Sequence, residues 1–323
     1  MSDLQANSEP MRTYIANTDH GWYQFLTSME DLDEVNFWRP HGATPFKALS
    51  YGEPFIFKLK SQFDHAIVGF GFFVAYVKLT VTEAWQVFGN ANGAQTLEEM
   101  WTRIRMYVER SGGRAMPSHQ IGCTLLASPV FFPPSAWIRG PANWRPQIVA
   151  GKGYDTESGE GRRIWQECLL RARSMKLSEL SAETLAAAED APRYGTGILV
   201  RPRLGQGTFR FAVQGAYGKC AVTGEKSLPA LEASHIIPYA EGGRHEIPNG
   251  LLLRADIHRL FDRGYVTVTP DLRFRVSSRL MDEYHNGRQY YDLENRRIWT
   301  PGDPRNDPDH EALAYHSSSL FMH

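Results

Sequence analysis

One segment constrains this 323-residue chain more than any other, the run from Cys220 to Gly264. It reads Cys-Ala-Val-Thr-Gly-Glu at 220–225 and Leu-Glu-Ala-Ser-His-Ile-Ile-Pro at 231–238. It closes with Pro-Asn-Gly-Leu-Leu-Leu-Arg-Ala-Asp-Ile-His-Arg-Leu-Phe-Asp-Arg-Gly at 248–264. Thr223-Gly224 predicts a turn, Leu231 to Ile237 a short strand halted by Pro238, and Glu241 to Arg244 a loop. Asn249-Gly250 predicts a tight turn or a helix entry. Residues 251, 252, 257, 260 and 261 are apolar at helical spacing, so a helix is expected over 251–261, closed by Gly264. The order strand, loop, strand and helix is a ββα unit.

Polar residues recur in this unit at fixed separations. His235 precedes Asn249 by 14 positions, Asn249 precedes His258 by 9, and Asp262 lies 4 beyond His258. Residues four apart share a helix face, so His258 and Asp262 can chelate a divalent cation. A histidine on the facing strand can then act as general base on water.

With these residues in place, the segment resembles the HNH endonuclease family, whose fold is the ββα-metal finger. His235, Asn249 and His258 match its three eponymous positions, and the resemblance covers about 200–323. It implies His235 as general base, Asn249 as the hydrogen-bonding anchor of the finger and His258 as a ligand of one catalytic metal, Mg²⁺ or alternatively Mn²⁺. The implied reaction is phosphodiester hydrolysis leaving 5′-phosphate and 3′-hydroxyl ends. Two positions depart from the family pattern. Ser234 stands where many members carry an Asp or His ligand, which makes Asp262 the replacement ligand and Glu232 a poorer one. Cys220 is followed three residues later by Thr223 rather than a second cysteine, so no structural zinc is expected. Between 254 and 279 six arginines face three acids. Arg254, Arg259 and Arg263 are the candidate DNA-phosphate contacts.

Composition sets the context. The chain has 35 basic and 36 acidic residues and a formal charge of -1, which excludes a polycationic nucleic-acid coat but not a local basic site. Three cysteines without a CxxC pair exclude a disulfide framework and favour a reducing compartment. The polar N-terminal stretch resembles no signal peptide. The longest apolar run, 66–77, is broken by Gly69 and Gly71 and is shorter than the roughly 18 residues of a membrane span. It reads as a buried strand pair or a bulged strand. A soluble, cytoplasmic protein with no membrane partner is expected.

Seven of eight tryptophans lie in the first 165 residues, and seven of eleven histidines in the last 89. The asymmetry predicts two units of different chemistry in an α+β chain, with a domain over 1–177, a helical connector over 178–199 and the nuclease over 200–323. In the first unit, 54–59 and 67–74 read as strands. Helices are expected over 97–110, with Thr96 and Glu99 as a capping box, and over about 161–175. Residues 12–76 resemble the PUA-like superfamily, especially its EVE-type branch, through Tyr14-Ile15, His20-Gly21-Trp22-Tyr23, Asn36-Phe37-Trp38-Arg39-Pro40, Gly52 to Lys60 and Ile67-Val68-Gly69. That resemblance implies a β-barrel-type domain with helices that holds a modified base flipped from its stack. Trp22, Trp38, Trp137 and Trp144 are candidate pocket walls, and Asp155 a candidate acceptor for a cytosine amino group.

Joined, the two resemblances imply a modification-dependent restriction endonuclease that acts in phage defence on double-stranded DNA carrying 5-methylcytosine or 5-hydroxymethylcytosine. A homodimer would let two fingers cut two strands. The rival readings are an HNH effector gated by a small nucleotide signal, a catalytically inactive reader and an RNA target.

Overall fold

The computed structural model describes residues 11–29, 32–42, 44–175 and 204–323. The chain divides into two compact units, Met1–Leu204 and Gly205–His323. The expected connector over 178–199 lies outside the described residues.

Unit 1 is built on a six-stranded sheet. Its strands are β1 (Arg12–Asn17), β2 (Glu34–Arg39), β3 (Pro54–Lys58), β4 (Ile67–Thr80), β5 (Gln120–Phe131) and β6 (Gly151–Asp155), in the order β2-β5-β4-β3-β1-β6. Only β1 and β3 run parallel; the other ladders are antiparallel. No ladder joins β2 to β6 among the described residues. The helices are α1 (His20–Thr27), α2 (Val81–Phe88), α3 (Leu97–Arg110) and α4 (Gly159–Ser174).

Every residue of β3 is buried, because the sheet is covered on both faces. Phe55 and Phe57 join Trp22, Tyr23 and Leu26 of α1 in one core. Ile56, between them, joins Ile164, Trp165, Cys168 and Ala172 of α4 in the other. The apolar run over 66–77 is the single bulged strand β4, with register shifts after Phe70 and Phe73. Gly69, just before the first shift, has φ +153°, and a Cβ there would meet the Val130 carbonyl at 2.2 Å, so only glycine fits there. Helix α3 spans the expected residues. Thr96 caps it by accepting from the Glu99 N–H, but the Glu99 carboxylate turns to the Gln95 N–H, one residue short of a reciprocal box. Lys58 is fully buried. Its ammonium donates to the Leu59 carbonyl at 2.7 Å and lies 4.3 Å from the Trp144 ring, and burial draws its pKa down to about 8. Cys123 and Cys168 are buried free thiols.

Unit 2 opens with α5 (Gln206–Tyr217), followed by the hairpin of β7 (Leu231–His235) and β8 (Gly250–Arg254) and by α6 (Ala255–Asp262). Strands β9 (Val266–Val268) and β10 (Phe274–Val276) form a second ladder. Three short helices follow, α7 (Arg279–Tyr284), α8 (Arg288–Tyr291) and α9 (His310–Tyr315). The helix expected over 251–261 is a correction. Leu251, Leu252 and Leu253 pair with Ser234, Ala233 and Glu232 as a strand, and the helix begins only at Ala255. All three leucines are buried, and such a run fits a covered strand as well as a helix.

His316 is 1% exposed and stacks on Phe261 at 3.7 Å. It shares a 2.8 Å hydrogen bond with the Thr267 hydroxyl. Burial pushes its pKa down to about 4 from 6.5. Above pH 6.5 both native and unfolded imidazoles are neutral and the shift contributes nothing. As pH falls from 6.5 towards 4 the unfolded chain binds a proton that the native unit refuses, so stability is lost across that window. The shift corresponds to about 3 kcal/mol in all. Urea unfolding at a series of pH values is expected to show this decline. His316→Phe, which keeps the stack, should lessen it, leaving the part carried by the similarly lowered His235; an unchanged slope in that variant would assign the decline elsewhere.

Candidate active site

The hairpin and α6 bring the paired residues of unit 2 to one open cavity of about 570 Å³, lined among others by Arg210, Glu232, His235, Tyr239, His258 and Asp262. His235 ends β7, and His258 and Asp262 project from one face of α6. The His258 Nε2 lies 3.2 Å from Asp262 Oδ2, and its Nδ1 lies 2.7 Å from Glu232 Oε2. Asp262 Oδ1 is 3.5 Å from the Ser234 hydroxyl. Burial raises the Asp262 pKa and His258 opposes that rise.

Asn249 supports this arrangement from behind. Its Oδ1 accepts from the Ile237 N–H at 2.9 Å, and its Nδ2 donates to the Ile237 and Arg244 carbonyls at 3.1 and 2.9 Å. The side chain therefore closes the 237–249 loop onto the end of β7. The loop also holds a residue that spacing gave no reason to select. His245 Nδ1 lies 2.8 Å from His235 Nε2. Burial, then the neighbouring His245 and His258, push the His235 pKa down to about 4.

Two contacts escaped the sequence. Glu232 touches His258 at Nδ1 rather than standing idle, and the alternation that puts 232 and 234 on one strand face was its available signal. His245 sits in an irregular loop, where no periodicity reports direction.

The other candidates are placed as follows. Arg254 grips Asp256 through two bonds of 2.6 and 2.7 Å. Arg273, Arg275 and Arg279 are ion-paired with Asp271, Glu294 and Glu283. Arg259 on α6 and Arg263 just past its end are exposed. The Cys220 sulfur accepts from the Thr223 and Arg254 N–H groups and is fully buried.

In unit 1 the four tryptophans do not converge. Trp22 is 3% exposed and meets Phe37, Phe57 and Phe131 edge-on, which makes it core rather than a pocket wall. Trp137 donates to the Tyr23 hydroxyl and the Phe132 carbonyl. Trp38 donates to the Asn92 carbonyl, and Trp144 faces Lys58. Asp155 accepts from the Glu157 N–H and the Ser158 hydroxyl at the start of α4.

Residues 220–269 match the family model described as HNH endonuclease. This segment is an HNH endonuclease domain. The HNH domain is a nuclease fold of the hydrolase class, and its relatives generally depend on a divalent metal. Among the described residues no group of three or more His, Cys, Asp or Glu is arranged around one metal position. The pair His258 and Asp262 nevertheless fits a cation. Bonds of about 2.1 Å to two adjacent corners of an octahedron place donors about 3 Å apart, and Mg²⁺ commonly keeps waters at most other positions. Glu232, by accepting a hydrogen bond from the Nδ1–H, leaves the His258 Nε2 lone pair free for the metal.

Among solved structures, an ASCH protein from Zymomonas mobilis is 12% identical, over 48% of this chain and 94% of its own, with a TM-score of 0.32. The modification-dependent restriction endonuclease TagI is 15% identical over 98% of this chain and 86% of its own, with a TM-score of 0.27. No curated protein sequence matches the chain. Among the described residues no helix is long and apolar enough to cross a membrane.

Proposed function

We propose that the chain is a modification-dependent DNA endonuclease in which the HNH domain hydrolyses the phosphodiester and unit 1 selects DNA carrying 5-methylcytosine or 5-hydroxymethylcytosine. The observation that carries the hydrolytic half is the convergence of His235, His258 and Asp262 on one open cavity of the HNH domain, with Asn249 fixing the loop beside it. His235 takes a proton from the attacking water. His258 and Asp262 hold the cation, which when bound stabilises charge at the phosphate and at the leaving oxygen. Glu232 orients the His258 ring through Nδ1. Arg259 and Arg263, exposed on and just past the same helix, contact flanking phosphates, whereas Arg254 is committed to Asp256.

The selective half rests on the EVE-type resemblance of 12–76 and on the absence of net positive charge, which keeps affinity for unmarked DNA low. Trp38, Trp137 and Trp144, which are not core-buried, remain the aromatic candidates for the base, and the protein acts in the cytoplasm as a defence against foreign DNA. Cleavage of both strands takes two copies of the finger or successive nicks. Methylated and unmethylated forms of one plasmid, incubated with the full chain and Mg²⁺ or Mn²⁺, test the reading. Cutting confined to the methylated form is expected and should vanish with chelator. Equal cutting of both forms would end the modified-base assignment, and cutting of neither would end the nuclease assignment.

A further inference from the structure

Behind the cavity-lining His235 stands a histidine that the three family positions do not include. His245 lies on the loop between the two finger strands, and that loop is tightly held. The Arg244 carbonyl accepts from Asn249 Nδ2 at 2.9 Å, and the Gly243 N–H donates to the Pro238 carbonyl at 3.1 Å. A Cβ at Gly243 would sit 1.8 Å from the Ile237 carbonyl oxygen, so the close approach needs glycine. The His245 ring stacks on Tyr239 at 4.5 Å and 13°. On the far side of the pair, His235 stacks on Phe209 at 4.0 Å and 12°. Both imidazoles are thus clamped by aromatic faces, and the 2.8 Å bond between His235 Nε2 and His245 Nδ1 joins them.

The geometry points to His245 as a positioning residue that sets the tautomer of His235, an inference that rests on His235 being the base. A neutral imidazole carries one proton on two nitrogens. If the bridging proton belonged to His245, the His235 proton would sit on Nδ1 and His235 would offer no lone pair to water. With the bridging proton on His235 Nε2, Nδ1 is bare and basic. When Nδ1 takes the proton of the attacking water, the Nε2–H bond to His245 becomes charge-assisted and strengthens. His245 therefore sets which nitrogen of His235 is left basic without touching substrate.

Long-range ¹H–¹⁵N correlation on the full chain labelled at histidine, without metal, reads the tautomer directly. His235 is expected to be protonated at Nε2; protonation at Nδ1 would overturn the inference. Two variants separate hydrogen bonding from packing. His245→Asn places an amide oxygen where Nδ1 stands and should keep the tautomer, with kcat within about fivefold of wild type. His245→Phe keeps the stack on Tyr239 but has no acceptor, and should lower kcat on the order of 10²-fold at little-changed KM. An active Phe variant with an inactive Asn variant would show packing alone and refute the role. If His235→Ala still cleaves, the base assignment itself falls, while the spectrum continues to decide the tautomer.

Discussion

Replacing His235 by alanine is expected to slow cleavage by on the order of 10³-fold, the scale of a lost general base. DNA affinity should stay within about twofold, because His235 is neutral and phosphate contacts come from cations. Single-turnover cleavage of methylated plasmid and a mobility-shift titration measure the two quantities. The imidazole is buried, and its proton affinity is lowered by His245 and His258 as well. Its base form therefore dominates above about pH 4, and the wild-type rate should show no acid limb at the ordinary histidine value of 6.5. The variant's pH profile should lack any limb from this group. Cleavage within tenfold of wild type would remove His235 from the chemistry.

Asn249→Ala should have the largest effect on stability. The amide makes three hydrogen bonds to the backbone at Ile237 and Arg244, and its own residue is 8% exposed. Truncation leaves an N–H and two carbonyls without a partner, a loss of about 4 kcal/mol. For a unit of this size that lowers the melting midpoint by about 15 °C. Hydrogen exchange at the amides of 231–254 should show the loss confined to unit 2. Asn249→Asp, which keeps the acceptor and discards both donors, should fall between. A midpoint within about 3 °C of wild type would mean that the loop is held by other contacts, such as the Gly243 N–H bond to Pro238.

The parts of the fold that the sequence announced are those with a repeating signal. Helix α3 has apolar residues at helical spacing, a threonine cap and a Gly112-Gly113 exit, and it forms over the expected residues. Strand β3 and the bulged β4 followed from branched and aromatic residues interrupted by glycines. Leu251 to Leu253 was misread because three adjacent buried leucines carry no period, and only the partner strand, 21 residues away at Leu253, decides between strand and helix.

The same limit applies at the site. His258 and Asp262 declare their shared face by a spacing of four. The meeting of His235 with His245 depends on the path of a loop, and the meeting of Glu232 with His258 depends on how α6 packs across β7. In unit 1, the abundance of tryptophan was legible but its use was not. A sheet covered on both faces takes up aromatic rings as filling, and Trp22 went there.

The three buried thiols have a use of their own. Cys123, Cys168 and Cys220 each have no exposed surface, and burial pushes the thiols of Cys123 and Cys168 well above their ordinary value. An electrophile or peroxide meets little thiolate and no accessible sulfur on the native chain. The rate at which a thiol reagent labels the native chain is therefore a clock for opening. Two of its hands sit in unit 1, on β5 and α4, and one sits in unit 2 beside the finger, so a single labelling time course times the breathing of each unit separately.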